Sequence, residues 1–173
     1  EPIRITTDRD EFKSYSGALL NYSDSPVTEN EFFIKSTSLL FEKGIGPQAI
    51  QCFEKNKYKA FFPTQGDWHF DILAASFYLL SRYEEYLPHE KDIYGRYAHT
   101  NSLAFREEFL HVPLVNIWLD AFKKALLEKF PGIHFRRAHF KCALSYDIDI
   151  AYSYLEKGFV RTAGGFARSV WQG

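Results

Sequence analysis

Among the 173 residues of this chain, Asp147 and Asp149 combine type and spacing in the way most suggestive of chemistry. They follow Phe140-Lys141-Cys142-Ala143-Leu144-Ser145, in which Phe140, Cys142 and Leu144 alternate with Lys141, Ala143 and Ser145. That period of two predicts a strand. Asp is a poor strand residue, and positions i and i+2 face the same side. Both carboxylates would therefore converge at the strand's C-terminal end, where α/β folds gather reactive groups. Two like charges held close repel. Either one keeps its proton and serves as a general base with a raised pKa, or the pair shares a cation as half of a divalent-metal site. A third reading is that either Asp caps a helix predicted through Ala151 to Lys157. For an isolated D-x-D, the cap is the commoner use.

Other reactive side chains add little to the pair. His69, His89, His99 and His111 are scattered over loops and helix edges. His134 and His139 are five apart and do not make the i, i+4 helical pair that binds zinc. Cys52 and Cys142 form no C-x-x-C, which argues against a zinc ribbon or redox pair and fits a reducing compartment. Gly44-Ile45-Gly46-Pro47 lacks the full dinucleotide-binding glycine fingerprint and reads as a turn. There is no G-x-S-x-G elbow and no Walker loop. The chain offers at most half a catalytic site.

The elements that must position this half-site come before it. Ile3 and Ile5, Ala18–Tyr22, Glu31–Lys35 and Ala60–Phe62 read as short strands, with a short helix starting near Asp8-Arg9-Asp10. Ser38–Phe41 continues the third strand or opens a short helix that ends at Gly44. Asp71 is placed as the N-cap of a helix reaching about Tyr86. Its residues 72–80 are apolar on almost every face, which predicts a central, buried helix. The end of this helix, Arg82 to Tyr86, reads as solvated. A polar loop over 89–100 and a helical turn over 103–110 come next. A second long helix opens at Pro113 and stops at Pro131-Gly132. Its stripe of Val115, Trp118, Leu119, Phe122, Leu126 and Phe130 is predicted core.

Composition bounds the class. Apolar residues make up 46% and charged residues 25%, as in an ordinary globular protein and not a disordered one. Aromatics reach 18%, enough to fill a core generously. A net charge of −1 predicts no nucleic-acid partner, and no apolar run approaches the roughly 20 residues of a membrane span. The chain has no Met and begins at Glu1, which predicts that sequence is missing upstream.

Phe70-Asp71 and the run from Ala74 through Ser81-Arg82-Tyr83-Glu84-Glu85-Tyr86-Leu87 resemble the N-terminal region of a group of bacterial polysaccharide deacetylase family proteins. Ser102-Leu103-Ala104-Phe105, Pro113-Leu114-Val115, Asp147-Ile148-Asp149-Ile150-Ala151-Tyr152, Lys157-Gly158 and Arg161 recur there in the same order. The resemblance covers nearly the whole chain. It implies an accessory domain of unestablished role, followed by the start of a hydrolase domain acting on carbon–nitrogen bonds other than peptide bonds. Asp147 would be the base that activates water. Asp149 would be a ligand to a divalent metal, zinc, together with two downstream His, and the metal would polarise an N-acetyl carbonyl. Two departures stand out. The family's paired Asp are adjacent, whereas Ile148 separates them here, so their roles could be exchanged. No His-x-x-x-His follows before Gly173.

The expected fold is α/β: a short-stranded mixed sheet packed by two main helices, plus the first strand and helix of a distorted (β/α) barrel. The expected domains are residues 1–137, the accessory domain, and 138–173, the truncated start of the deacetylase domain. The chain alone is expected to be inactive and to bind no metal tightly. The parent's partner would be its polysaccharide substrate, and this piece would contact the missing remainder of the deacetylase domain. The alternative is a non-catalytic module that binds carbohydrate or protein.

Overall fold

The computed structural model describes residues 3–55, 57–136, 140–146 and 171. The chain divides into two units, residues 1–134 and 135–173. The first is α/β, with two strand pairs and four α-helices among the described residues.

The predicted strand over Ile3 and Ile5 does not form; both side chains are exposed, with no neighbouring strand to reward alternation. Helix α1, Arg9–Ser14, forms as its cap requires. Asp8 Oδ1 accepts from the backbone N–H of Asp10 at 2.8 Å and of Glu11 at 3.3 Å.

Strands β1 (Leu19–Ser23) and β2 (Glu31–Lys35) pair in parallel, with Leu19 opposite Glu31. Parallel neighbours usually need a crossover of a dozen residues or more. Here residues 24–30 suffice, and two buried polar side chains explain why. Glu31 accepts from Asn21 Nδ2 at 2.8 Å and from the N–H groups of Val27 and Thr28, each at 2.9 Å. Asn21 also donates to the Ser25 carbonyl at 3.0 Å. The loop's backbone groups are thus satisfied by side chains of the strands it joins.

Leu39–Phe41 forms a 3-10 turn, so this stretch opens a short helix and does not continue the strand. Strands β3 (Phe53–Lys55) and β4 (Tyr58–Ala60) make an antiparallel hairpin. The strand predicted over Ala60–Phe62 ends at its first residue, because Phe62 takes a positive φ of 59° and leaves extended geometry. Phe61 and Phe62 are buried as side chains beyond the strand.

Helix α2, Ile72–Leu80, is shorter than predicted. Arg82 turns left-handed at φ 54°, ψ 44°, which ends the α-helix, and Tyr83–Tyr86 continues as a 3-10 turn. Nor is α2 buried all round. Ile72, Ala74, Ala75 and Tyr78 face the core, while Leu73, Phe77 and Leu80 are exposed.

Helix α3, Leu103–Arg106, is a single capped turn, and α4, Leu114–Lys129, starts after Pro113 and gives way to the Pro131-Gly132 turn. Trp118 of α4 is the centre of the core. It meets Phe61 and Phe70 edge-on at 5.6 and 5.2 Å, and its Nε1–H donates to the Lys59 carbonyl at 2.9 Å. Val115, Phe122, Leu126 and Phe130 of the predicted stripe pack against the core. Leu119 is half exposed and sits at the stripe's margin. Aromatic richness is therefore spent largely on packing.

In the second unit, residues 140–146 carry no strand and are exposed. The predicted strand Phe140–Leu144 is not formed: alternation supplies one apolar face, and a strand also needs a paired neighbour.

Candidate functional site

Asp147 and Asp149, the predicted base and metal ligand, lie outside the described residues, as does the helix predicted over Ala151 to Lys157. Four settings in the first unit bring titratable side chains into partly or fully buried surroundings.

The deepest is Asp71, which is fully buried. Its position follows from α2, whose first turn it caps by accepting from Ala74 N–H at 2.9 Å through Oδ1. Oδ2 accepts from Thr37 N–H at 2.6 Å, Thr37 Oγ1 at 2.8 Å and Tyr22 Oη at 2.9 Å. Burial, then the adjacent Asp71 charge, hold the Tyr22 hydroxyl protonated far above the phenol range. One carboxylate thereby ties β1, the stretch after β2 and α2 together. With four donors upon it, it is a structural knot.

The second is Glu84, in the segment read from sequence as solvated. It is half-buried. Its Oε1 accepts from Leu103 N–H at 2.8 Å at the start of α3, Arg106 Nη2 stands 3.7 Å away, and Tyr78 hydrogen-bonds to it. Burial raises its pKa, opposed by the Leu103 N–H, Arg106 and Tyr78. Beside it, Tyr97 is pushed up to about 12 by burial and by Glu84 and Glu85, and its buried hydroxyl has no protein partner. The local sequence signal was weak because Glu84 and Glu85 are adjacent and identical. Glu85, itself partly buried, pairs with the exposed Arg82.

The third is a shallow polar cleft of about 270 Å³, bounded by Thr28, Glu29, Glu31, Phe33, Asp67 and Lys129 among others. Asp67 N–H donates to the Phe33 carbonyl at 2.9 Å, while its Oδ2 accepts from Phe33 N–H at 2.7 Å and Lys129 Nζ at 2.8 Å. Burial would raise Asp67, but Lys129 and the Phe33 N–H outweigh it and hold the carboxyl below its usual value. The fourth is Lys55, whose ammonium lies 4.0 Å from the Trp68 ring centre; burial lowers its pKa.

The remaining sequence candidates are separated. His89 Nδ1 lies 2.8 Å from the Leu87 carbonyl, and His99 packs edge-on against Phe105. Gly46 N–H donates to Tyr83 Oη at 3.0 Å, so the Gly44–Pro47 stretch, a bend followed by irregular chain, is fastened to the core. Burial pushes the Cys52 thiol up to about 11, opposite to the activation of a nucleophile. Among the described residues no cluster of three or more His, Cys, Asp or Glu is arranged to hold a metal ion, and no helix is long and apolar enough to cross a membrane.

A family model described as a family of unknown function, DUF7033, matches residues 1–131. No curated protein and no solved structure matches the chain.

Proposed function

The chain belongs to the DUF7033 family, a family of unknown function, and on that premise we propose that its matched region is a non-catalytic accessory module of a metal-dependent polysaccharide deacetylase. The observation that carries this reading is how the module uses its buried carboxylates. Asp71 and Glu31 spend their oxygens on backbone, hydroxyl and amide donors of the module itself. Such groups fasten a fold, their oxygens already engaged by the module's own donors. Catalysis then falls to Asp147 and Asp149, whose surroundings resemble the opening motif of a deacetylase domain.

In this reading Asp147 takes the proton of the attacking water and Asp149 is a metal ligand, with two His encoded further along the parent chain. A divalent metal, zinc by the resemblance, would supply polarisation of the N-acetyl carbonyl and a lowered pKa for water. The substrate class is an N-acetylated bacterial polysaccharide, and acetate is the small product.

Acetate release from N-acetylated oligosaccharide by the full-length parent, with and without zinc, tests the proposal. Asp147→Asn should reduce turnover by roughly 10²–10⁴-fold, the usual worth of a general base. Asp149→Asn should lower zinc retention as well. A parent sequence with no His-x-x-x-His after Asp149, or full activity in both variants, would refute it.

A further inference from the structure

We draw no further inference here: the strongest candidate, the shallow cleft beside β2 bounded by Thr28, Glu29, Glu31, Asp67 and Lys129, is an acidic cluster whose Lys129 ammonium is already paired with Asp67, and nothing in the structure shows what ligand would fill it.

Discussion

Asp71→Ala should be among the most damaging single substitutions in the module, and the geometry sets the scale. The carboxylate receives two backbone N–H groups, from Thr37 and Ala74, and two hydroxyls, from Thr37 and Tyr22. The residue has no exposed surface, so water does not replace it without rearrangement. Hydroxyls can rotate toward other acceptors; the two N–H groups cannot. Leaving two fixed donors unpaired costs about 1–3 kcal/mol each, including the α2 cap at about 1 kcal/mol. A loss of about 3–5 kcal/mol follows, a large share of the roughly 5–15 kcal/mol that holds a domain together. Asp71→Asn keeps one carbonyl acceptor but turns an NH₂ toward donors, and should lose about half as much. Urea unfolding followed by tryptophan fluorescence, since Trp68 and Trp118 are both buried, reads both values. Thr37→Val in each background gives the coupling, which should exceed about 1 kcal/mol. If Asp71→Ala costs under about 1 kcal/mol, the knot is ornamental and the reasoning fails.

Three further outcomes are expected. Glu84→Gln tests the buried carboxylate between α2 and α3: because the folded state raises its pKa, the favourable contribution of protonated Glu84 is present at acid pH and lost as pH rises through the raised value. Urea midpoints should therefore show wild type losing ground to the Gln variant from about pH 4 to pH 7; an unchanged difference refutes the linkage. Gly66→Ala should destabilise by at least about 1–3 kcal/mol in the same assay, because φ is 154° and the new Cβ would stand 2.8 Å from the Phe33 carbonyl oxygen. A thiol reagent at about pH 8 should label the exposed Cys142 roughly a hundredfold faster than Cys52, whose thiol is pushed up to about 11; equal rates would show that Cys52 is neither shielded nor raised.

Local physical signals made much of the fold legible. Asp8 and Asp71 stand before helical runs and cap them, Pro113 precedes α4, and Pro131-Gly132 follows it. Trp118, Phe122, Leu126 and Phe130 fall on one helical face whatever the surroundings. Asp147 and Asp149 read as a short motif with a family resemblance, and they lie outside the described residues.

What sequence determined alone was where the capped helices begin and which stripe of α4 seeks burial, since cap chemistry and hydrophobic period act over a few neighbours. Tertiary structure decided the rest. It made Glu84 half-buried against the start of α3, set Glu31 to close a parallel link of unusual brevity, and left one face of an apolar helix open. It also left Phe140–Leu144 without a strand. Each outcome depends on what lies opposite a side chain in space, and residues tens of positions away supply that neighbour.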